Sequence, residues 1–168
     1  MTWDAYHRRD TVTRDAMAIA ESRRDGVLAW SDIPDAEATF GTPDKLVAAL
    51  QMRWHTRLSG AVERELAEQP WDLEAAVVHA WRQTAAAMPG VRAVLDAHAD
   101  SPTMLAARRK DWLLLATAAG VAGFDDPSAA HLGELVEERA RSVVVDRTIP
   151  GPRSHDSWFG RLRQALVA

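Results

Sequence analysis

Three points along the chain set a serine, threonine or aspartate directly before proline: Thr42-Pro43, Ser101-Pro102 and Asp126-Pro127. No other feature constrains the fold as strongly. The oxygen can accept one of the orphan N–H groups at a helix start, and proline, which has no N–H, loses nothing at the first helical position. Each pair therefore opens a helix. Asp72, after Gln69-Pro70-Trp71, and Asp156 or Ser157, after Pro150-Gly151-Pro152, open two more.

Between these starts apolar residues recur every three or four positions, the period of a helix with one buried stripe. From Pro43 the stripe is Leu46, Leu50, Trp54, Leu58, Ala61, Val62 and Leu66. A helix running to about Glu68 is roughly 40 Å long at 1.5 Å per residue, which leaves surface for a partner helix. Leu73, Val77, Ala80, Trp81, Thr84 and Met88 continue the pattern until Pro89-Gly90 stops it, and residues 91–98 make a shorter helix. Residues 102–122 are apolar nearly all round in their second half, so this helix is expected to be the central, most buried one. Leu132, Leu135, Val136, Arg139, Ala140 and Val143 mark another helix ending near Val145. The first helix spans residues 2 to about 24, with Tyr6, Val12, Ala16, Ile19 and Ala20 inward, and the last, 157–166, carries Trp158, Phe159, Leu162 and Leu166.

Residues 26–41 and 147–155 read as irregular, the former with a short helical turn at 35–39. Val143-Val144-Val145 is the one β-branched run, and no alternating strand pattern exists. The expected fold is an all-α bundle of six or seven helices in one domain. Residues 1–41 supply a helix and an irregular segment, 42–146 the core, and 147–168 a proline-containing connection and a last helix.

The 168 residues suffice to bury a core. With no cysteine, disulfide scaffolds, thiolate metal sites and cysteine nucleophiles are excluded. The longest uncharged run is the 13 residues 112–124, short of the roughly 20 needed to span a bilayer. The charged N-terminus carries no secretory signal, so the cytoplasm is the expected location and no membrane is expected. A net charge of −4 creates no general attraction to nucleic acid. Eighteen arginines against two lysines, with abundant alanine, read as GC-rich coding bias.

Catalytic motifs are missing. The histidines at 7, 55, 79, 98, 131 and 155 contain no pair at helical ligand spacing. No Glu-x-x-His di-iron pattern, glycine-rich phosphate loop or nucleophile elbow occurs, and no cofactor is implied. In Asp96-Ala97-His98-Ala99-Asp100 the histidine faces away from both carboxylates on a helix. Arg108-Arg109-Lys110 reads as a solvated helix face. The aromatic set is skewed to seven tryptophans. Trp54, Trp81 and Trp112 fall on inward stripes of three helices, with His55, His79 and His98 nearby. These six are the candidate lining of a small-molecule pocket, an aromatic wall with a few polar atoms; the plainer reading of each by itself is ordinary packing.

The run Phe40-Gly41-Thr42-Pro43-Asp44-Lys45-Leu46-Val47-Ala48-Ala49-Leu50-Gln51-Met52-Arg53-Trp54 resembles the junction of TetR-family regulators, where the DNA-binding helices lead into the ligand-binding bundle. The resemblance implies an all-helical core that dimerises through its last long helices and encloses a small apolar ligand. Upstream the chain departs from that family. Residues 25–39 are too short for a helix-turn-helix, and Asp32, Asp35 and Glu37 stand where phosphate contacts want cations.

The reading is a non-enzymatic binding module, a homodimer that recognises a small apolar ligand or a protein partner. Leu132, Leu135, Val136 and Val143, with the long helix from Pro43, are the candidate dimer interface. One alternative is a DNA-binding regulator with a shortened reading head that sets Arg8, Arg9, Arg14, Arg23 and Arg24 against phosphates. A second is a metal-dependent enzyme using His55, His79 and His98.

Overall fold

A computed structural model describes residues 3–142. Among these, seven α-helices and no strand form the expected helical bundle: α1 (Trp3–Arg23), α2 (Ala36–Phe40), α3 (Pro43–Ala67), α4 (Leu73–Ala87), α5 (Pro89–Ala97), α6 (Pro102–Ala118) and α7 (Ala129–Ser142). A single 3-10 turn, Trp30–Asp32, lies between α1 and α2. The expected last helix at 157–166, the 147–155 connection and the valine run lie outside the described residues.

The helix starts follow capping chemistry. Asp72 accepts the Ala75 N–H at 2.9 Å and Ser101 accepts that of Met104 at 3.3 Å. Thr42 is extended but makes no side-chain cap, so at α3 the proline alone marks the boundary. The third start is displaced. Asp126 accepts the Ser128 N–H at 2.8 Å, which closes a turn and delays α7 to Ala129. The short turn expected at 35–39 is α2, entered through Asp35 and left through Gly41, both with positive φ.

The central helix is α3, not α6. Eight of its side chains are buried, and it packs against α1, α2, α4, α5 and α6. The second half of α6 is apolar in composition, but its neighbours α3, α4 and α7 do not surround it, and Leu113 stays 37% exposed. The buried stripe of α3 is met by helices of the same chain, while outside that stripe Met52 stays 61% exposed. Tyr6 also departs from expectation. The seam of α1 is made by the small side chains Val12, Thr13, Ala16 and Ala20, and Tyr6 lies outside it, stacked on Trp3 and against His7.

Two helix contacts are so close that only glycine fits. A Cβ on Gly90 would overlap the Ala20 carbonyl, and one on Gly133 would overlap that of Trp112, so α1 meets α5 and α6 meets α7 backbone to backbone. Gly60 in the middle of α3 is different. A Cβ there meets nothing nearer than Arg64 Nη1 at 3.5 Å, an ordinary contact. Gly60→Ala is therefore expected to stabilise the protein by about 0.5–1 kcal/mol, through helix propensity alone. A urea midpoint unchanged or lowered in that variant would show that Gly60 is needed for packing.

Candidate functional site

Four helices carry polar side chains in phase with their apolar stripes. Gln51 lies between Val47 and Trp54 on α3, Asp111 between Met104 and Leu115 on α6, Glu137 beside Val136 on α7, and Arg92 beside Val91 on α5; all four are buried. A buried polar group must find a partner or bear its desolvation cost, so these residues organise the interior around them.

Two connected clusters result. In the first, Gln51 Nε2–H donates to Asp111 Oδ2 at 2.8 Å, and His55 Nδ1 lies 2.6 Å from Asp111 Oδ1. Burial pushes the Asp111 carboxyl above the ordinary range, against the hydrogen bonds from His55 and Gln51, and the charge of Glu137 pushes the same way. In the second cluster, Glu137 accepts the Trp112 indole N–H at 2.6 Å and the Arg141 Nε–H at 3.0 Å. Arg141 also donates to Asp96 at 2.8 Å, and Arg92 reaches the same oxygen at 2.7 Å.

The arginines of the second cluster cover the tryptophans. Arg92 lies 4.7 Å over the Trp54 ring, Arg141 5.1 Å over Trp81 and Arg108 4.8 Å over Trp112. Trp54 and Trp81 meet edge to face at 5.8 Å. Of the expected pocket lining, then, Trp54 and Trp81 are brought together, while Trp112 is bound separately to Glu137. No ligand space opens against Trp54, because it has no exposed surface and its neighbours are the chain's own guanidinium and indole groups. The Arg92 guanidinium and the Trp81 indole occupy the ring faces and edges expected to meet a ligand.

The three histidines do not converge. His55 is held by Asp111, the exposed His79 lies 3.1 Å from Glu65, and His98 Nδ1 approaches its own helix's Val94 carbonyl at 2.8 Å. Among the described residues no group of three or more histidine or acidic side chains is placed to hold a metal ion. Of the expected dimer residues, Leu132 is half-buried, Leu135 is 37% exposed, and Val136 is packed into the chain's own core at 2% exposure. Val136 is therefore closed to a partner, since α7 turns this stripe toward the rest of the bundle; Val143 lies outside the described residues. The N-terminal arginines are largely engaged: Arg14 pairs with Asp10, Arg23 with Asp25 and Asp32, and Arg24 Nε–H donates to the Glu21 carbonyl.

Asp96 gives this network a pH signature. Burial alone would raise its carboxyl, but the hydrogen bonds and charges of Arg141 and Arg92 outweigh that and hold it below the ordinary range. A lowered carboxyl contributes stability above its unfolded value near 3.9 and loses it as pH falls through the folded value. Acidification from about pH 5 toward pH 2 is expected to lower the urea midpoint of the wild type more than that of Asp96→Asn. Because the side chain is 40% exposed, screening keeps the difference to roughly 1 kcal/mol or less. Parallel pH profiles would refute the assignment.

Large apolar side chains also stand in the open at one end of the bundle. Trp71 is fully exposed and Phe124 92% exposed, with Leu73 and Val121 partly so. Trp71 comes from the α3–α4 connection, Leu73 opens α4, and Val121 and Phe124 come from the α6–α7 connection; the two ends meet where Leu73 Cδ1 lies against the Cβ position of Gly120. Leu73 belongs to the apolar stripe read for 73–88 and is nonetheless exposed, whereas neither Trp71 nor Phe124 belongs to a periodic stripe. No family model, curated protein or solved structure matches the chain.

Proposed function

We propose that this chain is a non-enzymatic helical interaction module that forms a homodimer through the aromatic end built by Trp71, Leu73, Val121 and Phe124. The observation that carries the reading is the exposure of Trp71 and Phe124 on two connections that meet at one end. Exposed aromatic groups of this kind mark association surfaces, and truncating one at the centre of an interface costs about 2 kcal/mol or more. The filled interior favours recognition by a surface over enclosure of a small apolar ligand, and the engaged N-terminal arginines weigh against the DNA-binding alternative. The TetR-like run supports a regulator-like core: residues 40–54 span the end of α2, the turn at Gly41 and the first half of α3. Residence in the cytoplasm belongs to the same proposal; among the described residues no helix is long and apolar enough to cross a membrane.

Sedimentation velocity at tens of micromolar protein tests the reading. The wild type is expected to sediment as a dimer, and Trp71→Ser/Phe124→Ser as a monomer with an unchanged helical circular dichroism spectrum. A monomeric wild type, or a double variant that remains dimeric, would remove this interface.

A further inference from the structure

Two helix faces share one spacing. Tyr6, Arg9, Asp10 and Thr13 on α1, and Lys45, Ala48, Ala49 and Met52 on α3, each stand three, four and seven residues from the first of the set, which puts each set on one side of its helix. The backbone contact at Gly90 draws α1 to α5, and α1 meets α3 more sparingly. Between the two faces a cleft of about 500 Å³ stays open, within the range of small-molecule sites. The buried Thr13 and Phe40 form its floor with the two alanines, whose small side chains leave the space unfilled, and the exposed Tyr6 and Met52 edge it. Its lining on α3 runs from Lys45 to Thr56, about 16 Å of helix axis at 1.5 Å per residue, so the cleft is elongated.

The charges of this cleft are unequally engaged. Asp10, the acidic residue in the lining, is committed to Arg14 and Arg53. The Arg9 guanidinium lies 4.4 Å over the Phe40 ring, and Lys45 Nζ lies 4.0 Å from the Cβ position of the next residue, Gly41. Both cations therefore stand at the end of the cleft nearest α2, and neither makes an ion pair among the described residues. Stacking on Phe40 occupies one face of the Arg9 guanidinium and leaves the N–H groups of its edge free to donate. A chain of net charge −4 thus presents a largely apolar cleft with two uncommitted cations at one end.

We infer that this cleft binds a single-chain amphiphile with an anionic head, a medium-chain fatty carboxylate. The carboxylate accepts hydrogen bonds from the Arg9 guanidinium edge and the Lys45 ammonium. The alkyl chain lies over Ala48 and Ala49 against Tyr6 and Met52, where it leaves water. The concave form selects a free molecule over a bilayer, because Thr13 and Phe40 are 4% and 2% exposed and a flat surface does not reach them. The site lies at the start of α3, whereas Trp71 follows its end, and it stands whether or not the chain dimerises.

Isothermal titration calorimetry with decanoate as the probe tests the inference, with butyrate as the short comparison and decyltrimethylammonium as the cation of equal chain length. Decanoate is expected to bind roughly tenfold or more tightly than either. Trp71→Ser/Phe124→Ser is expected to bind it as the wild type does, which sets the cleft apart from the aromatic end. Arg9→Gln/Lys45→Gln is expected to weaken decanoate roughly tenfold, and Ala48→Phe to abolish binding by filling the cleft; a melting curve reports that each variant is folded. Absence of saturable heat with decanoate, equal affinity for decyltrimethylammonium, an affinity unchanged in Arg9→Gln/Lys45→Gln, or binding lost in Trp71→Ser/Phe124→Ser would overturn the site. Binding to phosphatidylglycerol vesicles that decanoate does not displace would also overturn it, by assigning this face to a membrane surface.

Discussion

Gly133→Ala is expected to lower stability by about 3 kcal/mol or more, the upper end of what overpacking costs. The added Cβ would overlap the Trp112 carbonyl oxygen and carbon and come within 2.7 Å of Trp112 Cα. These are main-chain atoms, so no rotamer change relieves the clash; α6 and α7 must move apart. That movement disturbs what the two helices hold between them, namely the Trp112–Glu137 hydrogen bond and the approach of Arg108 to Glu137 at 3.8 Å. Gly123→Ala is the matching control, because a Cβ there meets nothing within 4 Å. Thermal unfolding followed by circular dichroism separates the two. A Gly133→Ala protein that melts beside the wild type would mean that α6 and α7 do not touch through their backbones.

Trp54→Ala is expected to cost about 3–5 kcal/mol, the usual range for deleting a buried aromatic side chain. Trp54 has no exposed surface, and its removal takes away the edge-to-face partner of Trp81 and the ring under Arg92. Arg92 is itself buried and would keep only Asp96 as its partner. Trp54→Phe is a sharper probe. The Trp54 indole N–H is buried without an acceptor, so phenylalanine keeps most of the ring and relieves an unsatisfied donor, a group that costs about 1–3 kcal/mol when buried. Trp54→Phe is therefore expected to retain most of the stability that Trp54→Ala loses, read from urea unfolding. Equal losses in the two variants would place an unseen acceptor on that nitrogen.

Both effects arise at contacts that are long in sequence, and such contacts were the least legible part of the chain. Gly133 is an unremarkable glycine in print. Its reason is the carbonyl of a residue on another helix. Trp54 was legible as an inward residue because it stands in phase with Leu50 and Leu58, but what covers its ring was not, since Arg92 belongs to α5. Asp111 and Glu137 carried a weaker signal. Each is a carboxylate on an otherwise apolar stripe, which announces a buried partner without naming it. His55 was singled out and does sit at a polar cluster, yet for a different reason: it holds Asp111 and does not line a pocket. The aromatic end was not legible from periodicity, because Trp71 and Phe124 lie in connections.

What the sequence by itself determined is the set of helices and most of their limits. Cap geometry, the fixed φ of proline and the three-to-four spacing of apolar residues act within a few residues of one another, and they placed α1 and α3 to α5 within one or two residues of where they stand, while α6 starts as expected at Pro102 but ends at Ala118, four residues short of the expected 122. The all-helical class followed from the same local rules. The order of burial among the helices, the covering of Trp54 by the buried Arg92 and the meeting of two connections at one end were decided only in the tertiary structure. They depend on which stripe faces which, a choice made by backbone approach at Gly90 and Gly133 and by the pairing of buried charges across helices, and neither is a property of any one segment.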